Sequence, residues 1–185
     1  MLRCALHDGQ FFYFRRMNLA LATPADAPHL TRFVNAAYRC ENARQGWTTE
    51  ADLLDGQRID EEGMRNMLAL PGAAMLLAQN EAGELLGSFH VQVKGELVYL
   101  SMLAVAPAGQ ARGVGKFLLK AAEDYGRQHG CTRSRMTVIS VRTELIAYYE
   151  RRGYHRTGTT EPFPTDPRFG IPRQPLALLV LEKAL

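Results

Sequence analysis

Hydrophobic and polar positions change period several times along the chain, and each change marks an element. Leu19 to Thr23 reads as a short strand. Thr23-Pro24 then supplies a helix start, Thr as cap and Pro at the first helical position. Leu30, Phe33, Val34, Ala37 and Tyr38 follow at helical spacing. The stretch from Cys40 to Asp60 is polar and loop-like. Asp60 is placed to cap a second helix with Met64, Met67 and Leu68 on one face. AAMLLAQ reads as a buried strand, and NEAG turns it into ELLGSFHVQV, where Phe89, Val91 and Val93 alternate with His90 and Gln92. Lys94-Gly95 turns again into ELVYLSMLAV, apolar on both faces and therefore central in a sheet. A glycine-rich stretch leads into KFLLKAAEDYGRQHG, a helix stopped by Gly130. SRMTVISV is a strand. TELIAYYERRG is a helix with Thr143 as expected cap and Gly153 as stop. YHRTGTT and LALLVLEKAL are the last strands, separated by a Pro-rich stretch of about 15 residues that is long for a structureless connection. The order β-α-α-β-β-β-α-β-α-β-β predicts an α/β domain with one mixed sheet.

The 185 residues suit one domain with a full core. Hydrophobic residues make up 46% and charged residues 22%, an ordinary globular composition. The net charge of +3 fits an anionic ligand but is too small to argue for nucleic acid. Cys4, Cys40 and Cys131 are odd in number and unpaired in spacing, which argues for a reducing, cytoplasmic setting. No apolar run approaches the roughly 20 residues of a membrane span. The first residues do not read as a signal peptide, because Asp8 and Gln10 interrupt the apolar stretch and Arg15-Arg16 follow it. Met17 stands directly before the first strand. Residues 1–16 are therefore expected to be an N-terminal extension or poorly ordered arm, and 17–185 the domain. No Cys or His spacing suits a metal, so none is expected. Cys131 follows a helix C-terminus, where the dipole opposes a thiolate nucleophile.

Most of the candidate chemistry lies in QARGVGK, Gln110 to Lys116. Glycines before a helix let the backbone close around a ligand, and the helix start offers unpaired N–H groups and partial positive charge. Together they make a phosphate cradle. Two cradle types fail on the residues. A nucleoside-triphosphate loop would need a glycine at Gln110 and a hydroxyl at Phe117. A dinucleotide loop would need a third glycine at Leu118. Gln110-Ala111-Arg112-Gly113-Val114-Gly115 does fit Q/R-x-x-G-x-G/A after a long apolar strand. Downstream, Tyr149-Glu150-Arg151-Arg152-Gly153-Tyr154 closes a helix as Tyr-x-x-x-Gly-aromatic.

These two motifs, with the order of elements from Met17 onward, resemble the GNAT N-acetyltransferase superfamily. The resemblance implies the GNAT fold, a single mixed, mostly antiparallel sheet of about seven strands flanked by about four helices. It implies acetyl-CoA as cosubstrate and direct transfer of its acetyl group to the primary amine of a small metabolite or amino-acid-like acceptor. A homodimer is compatible with it. The implied cofactor-binding residues are Leu103, Ala104, Val105, Gln110, Ala111, Arg112, Gly113, Val114, Gly115 and Lys116. The implied catalytic residues are Tyr149, as proton donor to the leaving thiolate, and the backbone of Leu103, as oxyanion donor at a strand bulge. Tyr148 reads as packing. Lys116 reads equally well as a solvated first-turn lysine.

Two positions depart from the family pattern. Tyr99 or Ser101 stands where some members carry a basic glutamate, which leaves Glu41, Glu50, Asp52 and His90 as alternative bases. Arg142 stands where many members carry an asparagine, and it could pair with Glu144 or meet an acceptor carboxylate. Trp47, near the first two helices, lies where members build the acceptor pocket. Arg168 and Arg173 would suit an acidic acceptor if they turned inward. The competing functions are a protein or peptide N-acetyltransferase and a non-catalytic acyl-CoA sensor, since fold alone does not fix function.

Overall fold

The computed structural model describes residues 17–39, 49–106 and 112–185. The extension over 1–16, the stretch with Glu41 and Trp47, and the loop residues Gln110 and Ala111 lie outside the described residues.

In chain order the elements are β1 (Asn18–Leu21), α1 (Ala27–Tyr38), β2 (Leu54–Asp55), α2 (Glu61–Leu68), β3 (Ala73–Gln79), β4 (Leu85–Lys94), β5 (Leu97–Val105), α3 (Val114–Gln128), β6 (Arg133–Ile139), α4 (Thr143–Glu150), β7 (His155–Pro162), β8 (Ile171–Pro172) and β9 (Ala177–Ala184). Seven strands form one sheet in the order β1-β3-β4-β5-β6-β9-β7. Every neighbouring pair is antiparallel except β5 and β6. The pattern of positions predicts a mixed sheet, and the family resemblance implies the mostly antiparallel sheet of seven strands with four helices observed here.

Local chemistry starts the helices where the residues indicate. Asp26 accepts from both the amide and the hydroxyl of Thr23, at 2.7 and 2.8 Å, and a short 3-10 turn over Pro24–Asp26 leads into α1. Asp60 Oδ1 accepts from the Gly63 amide at 2.7 Å and caps α2. One start differs from expectation. The cap position of α4 is Arg142, and Thr143 is the first helical residue.

One core cluster joins α3 and α4 to the sheet through Phe89, Val91, Leu100, Leu118, Ile146 and Tyr149. The other joins α1 and α2 through Leu30, Val34, Met64, Met75 and Leu77. Their residues alternate along β3 and at the end of β5, as expected for a sheet covered on both faces. Gly87 sets the seat of α3. A Cβ there would lie 2.9 Å from side-chain carbons of Val114 and Leu118 and from the Ala104 carbonyl oxygen.

The Pro-rich connection carries more structure than expected. A 3-10 turn spans Pro167–Phe169, and β8 pairs with β2. The Arg173 amide donates to the Leu53 carbonyl at 2.9 Å, fastening this connection to the segment that precedes α2. Strands of two residues carry no periodicity, so neither β2 nor β8 is visible in the pattern of positions.

Candidate active site

The site is built where β5 leaves its neighbours. On the β6 side, parallel pairing runs from Leu97 to Leu100 and ends at Leu100 with Met136. On the β4 side, Ser101 pairs with His90 and Ala104 with Ser88, so Met102 and Leu103 face Phe89 alone. That is a β-bulge, and Met102 sits in it at φ 55°. The Ala106 amide donates to Leu86 across β4 at 2.9 Å. Alternation from Ala106 turns the backbone groups of Leu103 to the opposite side, toward the gap. There the Leu103 carbonyl accepts from the Tyr38 hydroxyl at 2.7 Å.

A cavity of about 390 Å³ occupies this gap. It opens at the C-terminal ends of two parallel strands, the position where open sheets that contain helices collect ligands. Its apolar wall includes Phe89, Leu100, Met136, Val138 and Leu145. Tyr38 reaches it from α1 and Tyr149 from α4, so side chains from opposite faces of the sheet meet through the opening.

Tyr149 packs edge-on against Tyr148 and Tyr154. Its hydroxyl makes no hydrogen bond among the described residues. Burial, reinforced by Tyr38, Tyr148 and Tyr154, holds its pKa well above the ordinary phenol value, and Arg142 opposes this only in part. The group is therefore a proton donor at neutral pH, not a base. Tyr38 is raised in the same direction, chiefly by burial and then by Glu50.

Charged groups gather on the α1 side. Glu50 Oε2 accepts from Arg39 at 2.7 Å and lies 4.0 Å from Arg58 Nε. Arg142 donates from Nε to Glu144 at 2.6 Å and from Nη1 to the Thr49 carbonyl at 2.7 Å. Glu50, Arg58 and Arg142 all line the cavity, as do Tyr99 and Thr137, whose hydroxyls are 2.9 Å apart. Asp52 lines a smaller neighbouring cleft. His90 lies behind the cavity wall, its Nδ1 2.9 Å from Ser101 Oγ. Burial lowers its pKa to about 4, outweighing the opposite influence of the Met67 backbone.

The glycine loop enters α3 through Gly113, which caps the helix at φ 87° with open space where a Cβ would stand. Val114 and Gly115 are buried, while Arg112, Gly113 and Lys116 are exposed. The first-turn amides of α3 are thus held at one end of β5, on the same strand that carries Leu103, Ala104 and Val105.

The condition set for Arg168 and Arg173 is not met. Arg168 and Arg173 do not turn inward. Arg168 is exposed and paired with Asp166 at 2.6 Å, and Arg173 is exposed and paired with Asp55 at 2.5 Å. Arg168 pairs within its own loop and Arg173 with Asp55 of β2, and both stay at the surface. Cys131 is buried, its thiol pushed up by burial, which agrees with the argument against a nucleophile. Nothing in the sequence pattern marks Tyr38 or Arg58 as a site residue. Tyr38 occupies a core position in the helical pattern, and Arg58 sits in a polar stretch whose fold is set by distant contacts. No group of three or more His, Cys, Asp or Glu is positioned for a metal among the described residues. None of the described helices is long and apolar enough to cross a membrane.

Residues 43–164 match the family described as Acetyltransferase (GNAT) domain. The mycothiol acetyltransferase of Rhodococcus erythropolis is 28% identical over 139 residues, 72% of this chain and 44% of that protein. The mycothiol acetyltransferase of Salinispora tropica is 30% identical over 129 residues, 66% of this chain and 39% of that protein. The chain therefore spans less than half the length of these relatives. Among solved structures, a ribosomal-protein-alanine N-acetyltransferase from Brucella melitensis superposes with a TM-score of 0.67 at 22% identity, over 91% of this chain and 99% of the other. The Salmonella typhimurium protein yncA, solved with its cofactor acetyl-CoA, gives 0.65 at 21% identity over 92% and 94%. The match runs over more than half of the sequence, and the chain belongs to the GNAT acetyltransferase family.

Proposed function

We propose that this protein transfers an acetyl group from acetyl-CoA to the primary amine of a small acceptor. The observation that carries the reading is the gap between β5 and β6, lined by Leu103 of the bulge and by Tyr149 of α4. Acetyl-CoA supplies an acyl group on a sulfur leaving group. The backbone from Gln110 to Lys116 is assigned the diphosphate, because amides at a helix start suit an anion and Gly113 leaves room for it. Leu103, Ala104 and Val105 are assigned the adjoining arm.

In this reading the Leu103 N–H stabilises negative charge developing on the acyl oxygen. Tyr149 gives its proton to the departing sulfur, and its raised pKa keeps that proton in place at neutral pH. Glu50, a carboxylate on the cavity wall beside Tyr38 and Arg58, takes the proton from the amine. His90 is disfavoured for that task. Protonating it at pH 7 would cost about 4 kcal/mol, and Ser101 stands between it and the cavity. A cavity of about 390 Å³ suits a small acceptor better than a peptide chain. A protein N-terminus is the alternative acceptor.

The test is free-thiol release from acetyl-CoA in the presence of an amine panel. Tyr149→Phe is expected to lower kcat by about a hundredfold, the usual weight of one acid–base group, with little change in acetyl-CoA affinity. Binding of acetyl-CoA without turnover on any amine or peptide would replace this reading with an acyl-CoA sensor.

A further inference from the structure

We infer that the acceptor amine carries a carboxylate and that Arg58 recognises it. This rests on the acetyl-transfer reading above and narrows its acceptor. Three guanidinium groups surround Tyr38, namely Arg58, Arg142 and Arg39, and each bears electrostatically on its hydroxyl. Two of them are hydrogen-bonded to carboxylates. Arg39 holds Glu50 at 2.7 Å, and Arg142 holds Glu144 at 2.6 Å.

Arg58 differs. Its Nε stands 4.0 Å from Glu50 Oε2, too far for a hydrogen bond, and its guanidinium lies 5.5 Å from the centre of the Tyr38 ring. Its side chain is 22% exposed and lines the cavity. A guanidinium stays charged at any working pH, so desolvating it without an anionic hydrogen-bond partner is unfavourable. The backbone does not let it drift. The Arg58 amide donates to Asn35 Oδ1 at 2.6 Å, and Asn35 Nδ2 donates to the Ile59 carbonyl at 2.7 Å. The side chain is thus presented to the cavity by a fixed turn anchored on α1.

The neighbouring charges narrow the anion. Glu50, 4.0 Å away, would repel a phosphate dianion more strongly than a carboxylate. A planar carboxylate also matches the donor fork of arginine. Glu50 meets both arginines through Oε2, which leaves Oε1 for an ammonium group. One end of the cavity therefore offers a cation and an anion side by side, the complement of a zwitterion. Tyr38 links this end to the transfer point, its ring beside Arg58 and its hydroxyl on Leu103. Arg168 and Arg173 do not compete for the role, since each is paired with its own aspartate at the surface.

The experiment compares amino acids with their methyl esters and amides, using thiol release from acetyl-CoA as readout. The wild-type protein is expected to favour the carboxylate of a matched pair by about ten- to a hundredfold in kcat/KM, the weight of one charged hydrogen-bonded contact. Arg58→Ala should bring the ratio toward one through the acceptor KM, and Arg58→Lys should retain part of it. Thermal melting of each variant checks its fold. Should Arg58→Ala fail to fold, the wild-type ratio and Arg58→Lys carry the test. Equal wild-type rates within every pair, or a preference that survives in the folded alanine variant, would overturn the inference while leaving acetyl transfer standing. No thiol release from any amine, with acetyl-CoA still bound, would remove the acetyl-transfer reading and this inference with it.

Discussion

Met102 and His90 show how single residues hold the opening in the sheet. Met102 adopts φ 55°, a region that costs a non-glycine residue about 1–2 kcal/mol. Its flanks are pinned, because Ser101 and Ala104 keep their partners on β4 and His90 bonds the Ser101 hydroxyl. Burial also holds His90 neutral. Its pKa falls from about 6.5 in an unfolded chain to about 4 in the fold. The unfolded state therefore binds the proton more tightly between these values. The stability contributed by neutral His90 is complete above about pH 6.5 and is lost as pH falls toward 4, by about 3 kcal/mol. His90→Asn removes the titrating group while keeping a polar side chain. Denaturant unfolding across pH 4 to 7 should show the wild-type protein losing about that much more stability than the variant. Parallel curves would mean that His90 is not held neutral. None of this strain is visible in the letters, since a methionine carries no signal for a left-handed backbone.

At the scale of elements, α3 is the part most fully encoded in the sequence. Its glycine entry, amphipathic length and place after the central strand are all local patterns, and each corresponds to an observed feature. Arg58 and Glu50 are the opposite case. Their positions depend on contacts with Asn35, Arg39 and the β2–β8 pair, which are remote or too short to leave a periodic trace. The entry to this helix is thus legible because one segment suffices. The cluster around Arg58 and Glu50 is not, because several separate segments build it. Gly113 gives the element-level test. An alanine there meets no neighbour, yet its φ of 87° strains any Cβ. Gly113→Ala should cost about 1–2 kcal/mol of stability and tilt the first-turn amides away from their aim. The expected outcome is weaker acetyl-CoA binding by calorimetry with the chemical step less affected, the reverse of Tyr149→Phe. Unchanged affinity would mean that the entry to α3 does not grip the ligand.

For the whole molecule, the parting of β5 from β6 divides one sheet into two partly independent halves. Pairing joins them only from Leu97 to Leu100, and the core under α3 and α4 supplies the rest of the seam. A ligand that fills the opening and meets the Leu103 backbone would act as a missing stretch of strand. It binds the folded state alone, so its effect on stability follows from mass action. At a hundred times its Kd it adds about 2.7 kcal/mol. For a chain of 185 residues that corresponds to a rise in Tm of about 5–10 °C. Hydrogen exchange should localise the gain, with protection rising at Leu103 and its neighbours and at the first turn of α3, while β1 and β3 at the far edge change little. Desulfo- or acetyl-free analogues that keep the diphosphate should protect the helix start but leave the bulge less altered. A uniform rise across all strands, or protection confined to the surface of β7, would place the ligand elsewhere and separate the gap in the sheet from acetyl-CoA binding.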